Sequence, residues 1–350
     1  MATQLKIAYI LPSLDSKAPI FLAKRLSDYF IEKGYLVKVF YFDAIEKVTF
    51  NCSMERIDIN KPIDFDYFDI IHSHMFRPDK YISKFSKTIK KAKCVSTIHC
   101  DIYDDLLWSY GKIVSIIYSQ KWLKWLLTFD ATVQINDYLM NLYNKKLSNN
   151  VLIYNGVSIS YEQDDYSEII TKIESYKNKQ LSVLCSYSGI VKRKGLMQIL
   201  KLLKIRSDLA YVCIGEGDER KKIIKYVKKN KLEERVSFFN FKKNPYLVLP
   251  YTDVFVMPSY SEGFSLALLE AGLIGSSAVC SNIPAMNIPF SSSEVSFFEL
   301  DNIDSLSKAV DSALKNKLSN NEALRHSVVE KYSVELMCEK YKNLYISLQE

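Results

Sequence analysis

The residues best suited to chemistry lie in one stretch. The apolar run Val254-Phe255-Val256-Met257 stops at Pro258, and the polar turn Ser259-Tyr260-Ser261-Glu262-Gly263-Phe264-Ser265 leads into helix-forming residues from Leu266 onward. The first backbone N–H groups of a helix have no intrahelical acceptor and face the positive end of its dipole, so residues 263–265 suit a phosphate. Glu262 and Glu270 stand before that helix and two turns along it, and carboxylates accept hydrogen bonds from hydroxyls without needing a metal. A phosphorylated, hydroxyl-rich ligand is the chemistry this turn suits.

Three further segments fit such a ligand. Ser188-Gly189-Ile190-Val191-Lys192-Arg193-Lys194-Gly195 follows an apolar strand and puts three cations in one loop. Gly215-Glu216-Gly217 ends the next apolar run, and a glycine turn at a strand end lets backbones approach closely. His99 closes Val95-Ser96-Thr97-Ile98, where an imidazole can exchange hydrogen bonds with a ligand hydroxyl. Other signals carry less. Asp64-Phe65-Asp66 reads as a surface loop, and His72, His74 and His99 lack a fourth ligand at a spacing typical of zinc. Seven cysteines are scattered singly with no C-x-x-C pair, which predicts reduced, buried thiols.

Positioning such groups requires a scaffold, and the chain is long enough for two. At 350 residues it exceeds the roughly 250–300 over which a single core keeps growing. With 48% hydrophobic residues, 10 Gly and 9 Pro, disordered and collagen-like readings fail. Apolar runs at residues 5–11, 36–42, 70–73, 95–99, 131–135 and 151–154 alternate with helix-length segments. A second series occupies 181–186, 209–214, 236–240, 254–257 and 277–280, with helices expected at 194–204, 218–229 and 264–272. That alternation predicts two α/β domains, each a doubly wound parallel sheet, with ligands outside the carboxyl ends of the strands and in the cleft between the domains. The polar segment 158–180 is the expected linker.

On these motifs the chain resembles the retaining GT-B glycosyltransferases of family 4. Glu262 and Glu270 match both acids of that family's Glu-x7-Glu motif, within Glu-Gly-Phe-Ser and Leu-Leu-Glu-Ala. The resemblance implies two Rossmann-like domains: residues 1–160 bind the acceptor, 161–330 bind a nucleotide diphosphate sugar, and a helix within 331–350 crosses back to the first. It implies that Glu262 touches the donor sugar, Gly263, Phe264 and Ser265 meet the distal phosphate, Glu270 holds the ribose, and Lys194 stabilises the departing diphosphate. Arg193, Gly215 and Phe241 fall at donor-binding positions, and His99 faces the sugar from the first domain. One departure is clear: Gly189 stands where the family carries an arginine. The loop at residues 12–19 also lacks the family's glycines. The activity implied is metal-independent transfer of a hexose from a UDP-sugar to a glycan or lipid-linked oligosaccharide in bacterial surface polysaccharide synthesis, with no cofactor beyond the donor. A non-catalytic nucleotide-sugar or glycan-binding protein on the same fold stays open because of Gly189.

The charge of +7 is uneven: residues 1–160 hold 21 Lys+Arg against 16 Asp+Glu. Lys80, Lys84, Lys87 and Lys91 recur at helical spacing, with Ile82, Phe85 and Ile89 as the opposing apolar stripe. Residues 106–129 contain no acid and hold Trp108, Lys112, Lys121, Trp122, Lys124 and Trp125. These two segments suit peripheral contact with an anionic membrane, and equally a solvated helix face beside a buried aromatic one. A nucleic-acid-binding reading of the lysine stripe predicts steep salt dependence and ranks below it. The apolar run at residues 7–11 is too short for a signal peptide, so the expected place is the cytoplasm, at the inner face of the cytoplasmic membrane.

Overall fold

The computed structural model describes residues 5–162 and 164–350. They form two units, residues 5–156 with Val334–Glu350, and Val157–Ser333. The first unit is a seven-stranded sheet, β1 (Lys6–Leu11), β2 (Leu36–Tyr41), β3 (Ser53–Arg56), β4 (Ile70–His74), β5 (Lys93–Ile98), β6 (Ala131–Gln134) and β7 (Asn150–Leu152). Every ladder is parallel and the strand order is β3-β2-β1-β4-β5-β6-β7, so the winding reverses between β1 and β4. Its helices are α1 (Ala18–Glu32), α2 (Phe76–Phe85), α3 (Ile102–Tyr110), α4 (Lys112–Leu126), α5 (Asp137–Tyr143) and the C-terminal helix Val334–Ser347. Asp101 caps α3 and Asn136 caps α5, each accepting a bond from a first-turn amide.

Asp79 of α2 ties these layers together. It is wholly buried and accepts from Ser73 of β4 (2.6 Å), Ser96 of β5 (2.9 Å) and Trp122 of α4 (2.7 Å). Burial pushes its carboxyl up to about 7 against the pull of those three donors. Trp122 is therefore a core residue of this unit, and its predicted membrane role is corrected. The lysine stripe changes too: α2 ends at Phe85, so Lys87, Ile89 and Lys91 lie beyond the helix.

The second unit is a six-stranded parallel sheet, β8 (Ser182–Tyr187), β9 (Leu209–Ile214), β10 (Val236–Phe239), β11 (Val254–Met257), β12 (Ala278–Ser281) and β13 (Ser296–Phe298). The order β10-β9-β8-β11-β12-β13 puts its reversal between β8 and β11. Its helices are α6 (Ser167–Asn178), α7 (Met197–Ile205), α8 (Arg220–Lys229), α9 (Leu266–Ile274), α10 (Pro284–Asn287), α11 (Ile303–Lys315) and α12 (Lys317–Lys331); the C-terminal helix is α13. The expected linker at 158–180 is mostly α6, whose Ile169, Ile173 and Tyr176 recur every three or four residues and are buried. The helix expected from residue 194 starts at Met197, because Gly195 takes a left-handed conformation (φ +65°) that ends the 3₁₀ turn Lys192–Lys194.

Candidate active site

The site in the second unit forms where two loops leave the carboxyl ends of β8 and β11, flanking the point at which the sheet reverses. In open α/β sheets that point opens a crevice for a ligand. Backbone geometry locks the loops together. A Cβ at Gly195 would stand 2.0 Å from the Pro258 carbonyl oxygen, so only glycine lets the first loop lie against the second. Gln198 Nε2 donates to that carbonyl (2.9 Å), its Oε1 accepts from the Asp301 amide (2.7 Å), and the Tyr260 amide donates to the Arg193 carbonyl (2.8 Å). Gly215 and Gly217 make a similar contact on the other side, where added Cβ atoms would meet the carbonyl oxygens of Ser188 at 2.0 Å and Ile190 at 2.4 Å.

This closeness brings the two sequence motifs into contact. Lys194 Nζ reaches Glu262 Oε1 at 2.5 Å, and Ser259 Oγ donates to the same oxygen at 2.6 Å. Glu262 is buried, which by itself would raise its carboxyl, but Lys194, Ser259 and Arg193 outweigh burial and hold it below the usual range. The Arg193 guanidinium lies 3.5 Å from the Ser261 carbonyl oxygen, so it sits on the same side of the loop as Lys194. Glu262 thus enters the site as a carboxylate with a cation beside it.

The helix behind this pair is oriented by Ser265, whose side chain accepts from the Leu268 amide at the start of α9. The ring of Phe264 is spent in packing, stacked 6.3 Å from Phe290 and tilted 5.4 Å from Tyr332, which leaves its backbone as the group that can meet a ligand. Glu270 lies along α9 and accepts from the Tyr187 hydroxyl at 3.1 Å. Tyr187 ends β8 and Ser259 follows β11; neither was singled out in the sequence, since an isolated Tyr or Ser carries no spacing signal. Phe241 lies beyond β10, two strands away from β8, and is 68% exposed, so its ring is free to stack on a base. Gly189 has no atom within 4 Å of an added Cβ other than the Glu216 carbonyl oxygen at 4.0 Å.

In the first unit, His99 follows β5 and its Nε2 lies 2.9 Å from His74 Nδ1. His72 is held on both sides, by Tyr345 at Nδ1 (2.6 Å) and Thr97 at Nε2 (2.8 Å). Burial drives all three imidazoles down, His99 to about 3, so each is neutral at physiological pH. Among the described residues no three His, Cys, Asp or Glu side chains gather as metal donors.

Comparison with known proteins bears on the family and the fold. The family model for glycosyl transferases group 1 matches residues 167–331, the span that holds β8 to β13. The chain is 30% identical to the O-antigen biosynthesis glycosyltransferase WclY of Escherichia coli, over 98% of this chain and 99% of that one. It is 23% identical, over 83% of its length and 79% of the relative's, to an Escherichia coli protein named UDP-Gal:alpha-D-GlcNAc-diphosphoundecaprenol alpha-1,3-galactosyltransferase. Among solved structures it resembles Anabaena HepE in complex with UDP-glucose (TM-score 0.81, 13% identity, 98% of this chain and 100% of that one). It also resembles a glycosyltransferase from Rickettsia africae (TM-score 0.77, 16% identity, 99% of both chains). The two Rossmann-like units are those of the GT-B fold.

Proposed function

The chain belongs to the group 1 glycosyl transferases, and from that premise we propose that it moves a hexose from a UDP-sugar, with retention at the anomeric carbon, to a hydroxyl of a glycan or lipid-linked oligosaccharide in bacterial surface polysaccharide synthesis. The names of its relatives support this reading, one acting in O-antigen synthesis and one on a diphosphoundecaprenol-linked sugar. The observation that carries it is the cluster of Lys194, Glu262 and Ser259 at the start of α9, with Glu270 eight residues further on.

Each group then has a part. The amides of residues 263–265 and the Lys194 ammonium face the diphosphate, Glu262 accepts from hydroxyls of the sugar, and Glu270, set by Tyr187, accepts from the ribose. Phe241 offers its ring to the base, while Arg193 supplies a second cation beside Lys194. In the first unit, His99 is the group that meets the transferred sugar. The anomeric C–O bond to the diphosphate breaks as the acceptor oxygen bonds to the same face of that carbon, and the acceptor's proton passes to the departing phosphate oxygen. No protein nucleophile and no metal are needed in this scheme, because preorganised positive charge meets the charge that develops on the leaving group.

A lipid-linked acceptor places the reaction at a bilayer surface on the cytoplasmic side. The chain reaches that surface through the exposed turn between α3 and α4; no helix among the described residues is long and apolar enough to cross a membrane.

The deciding experiment measures UDP release and glycan product across a panel of UDP-sugars. Glu262→Gln keeps the side chain's shape but removes its charge, and kcat falls about a hundredfold or more, the scale of losing one preorganised electrostatic contact. A wild-type protein that binds UDP-sugars and turns none of them over is a binding protein on this fold, and the transferase reading then fails.

A further inference from the structure

Three histidines of the first unit form a row, His72 and His74 buried and His99, the last member, partly exposed. β4 and β5 are adjacent parallel strands with His72 opposite Val95 and His74 opposite Thr97. Side chains alternate along a strand, so His72 and His74 share one face of β4, and Thr97 and His99 share one face of β5. Two bonds of the same register result: His72 to Thr97, and His74 to His99. Tyr9 of β1 lies over the row, its ring stacked 6.1 Å from that of His74, and the His72 and His74 rings are 4.3 Å apart. From α13, Tyr345 bonds His72 and Tyr341 bonds Thr97. The row is thereby closed on one side by the sheet and on the other by the C-terminal helix.

His74 differs from its neighbours in one respect: its Nε2 is buried and has no hydrogen-bond partner. The ring is neutral and so carries one proton. If that proton sat on Nε2, a buried donor would be orphaned; on Nδ1 it is used in the bond to His99, and only a lone pair is left over. Among backbone groups orphaned buried donors are rarer than under-used acceptors, and the same preference is taken for the ring. His74 Nδ1–H therefore donates to His99 Nε2. The remaining proton of His99 must then be on Nδ1, the one ring nitrogen left to meet a ligand, and His99 is partly exposed.

We propose that His74 is a positioning residue: it fixes the ring and the tautomer of His99, so that His99 offers a single Nδ1–H donor to the transferred sugar. The hydrogen bond made by one ring nitrogen sets the tautomer of a histidine, and at metal-bound histidines the loss of such a partner costs about ten- to hundredfold in activity. This inference rests on the reading of His99 as the sugar-facing group.

The chain has four histidines, so long-range ¹H–¹⁵N spectra of ¹⁵N-histidine protein can be assigned by single variants. In the wild type the His99 signal is that of an Nδ1–H imidazole; an Nε2–H signal overturns the proposal without any variant. His74→Phe keeps an aromatic ring but no donor, so the His99 tautomer mixes and kcat drops at least about tenfold with the KM for donor unchanged. His74→Asn places an N–H near the old Nδ1, and restores both the tautomer and most of kcat. A His99 tautomer indifferent to His74→Phe overturns the positioning role. Full activity in His99→Ala overturns the sugar-facing role instead, so the two failures are read from different samples.

Discussion

At the residue scale, the departure at Gly189 has a steric side that the sequence does not reveal. Gly195, Gly215 and Gly217 all face carbonyl oxygens at 2.0–2.4 Å from an added Cβ and have positive φ, whereas Gly189 has open space. Three of these glycines are thus demanded by the packing of the two loops and one is not. Gly195→Ala is expected to unfasten residue 195 from Pro258, destabilise the second unit by at least about 1–3 kcal/mol, and weaken UDP binding with it. Gly189→Arg is expected to leave the melting temperature within a degree or two and to tighten UDP binding, since a cation is added next to the diphosphate position without displacing anything. Thermal melts with and without UDP check both, and a melting temperature for Gly189→Arg that falls as far as that of Gly195→Ala would show the open space to be illusory. Glu262 and Glu270 could be singled out in the sequence by their places around one strand-to-helix turn, and Lys194 by the basic loop it shares with Lys192 and Arg193, but the contact of Lys194 with Glu262, 68 residues on, could not. Tyr187 and Ser259 were not, because their role exists only where β8 and β11 lie side by side. The pairing of His74 with His99 was hidden for the same reason, since its partners are 25 residues apart and meet through strand register.

Among the elements, the alternation of buried strands and amphipathic helices was plain in the sequence, and the misses are those a periodicity argument must make. β3 is an edge strand whose four residues, Ser53–Arg56, are all exposed, so no apolar pattern marks it. The aromatic and basic stretch at residues 106–129 folds into two helices that meet at Gly111 (φ +83°) and bury one face, a break that its composition does not mark. Ile102, Leu106, Ser115, Ser119, Trp122 and Leu126 turn inward, while Trp108, Tyr110, Ile113, Ile116 and Ile117 are exposed around the turn, with Lys112, Lys121 and Lys124 exposed as well. Apolar side chains at a hairpin tip, set among lysines and beyond Asp101, Asp104 and Asp105 at the start of α3, suit insertion into an anionic bilayer, where each lysine near the surface adds about 1 kcal/mol. The protein is expected to float with phosphatidylglycerol vesicles and much less with phosphatidylcholine alone. Ile113→Asp with Ile117→Asp abolishes flotation without touching the buried face, and unchanged flotation of that double variant rejects the hairpin as the docking element.

For the molecule as a whole, chain order and spatial order part company at the end. The second unit closes at Ser333, and the last helix returns to the first unit, adding Met337, Cys338, Tyr341 and Tyr345 to a core otherwise built from residues before 157. Burying a large side chain contributes about 1.5–3 kcal/mol. Four of them together rival the entire net stability of a domain, about 5–15 kcal/mol. Their loss would also orphan His72 Nδ1 and leave Thr97 short of one partner, which adds the cost of unsatisfied buried polar groups. The core of the second unit is built from residues between Leu184 and Ala313. A chain ending at Ser333 is therefore expected to lose amide protection throughout β1 to β7 while β8 to β13 exchange as slowly as in the full chain and still bind UDP. Peptide-resolved hydrogen exchange reads both units in one sample. If β1, β4 and β5 kept their protection without α13, the first unit would have to draw its stability from the sheet and α1 to α5 alone, and the helix would be an attachment to the fold instead of part of its core.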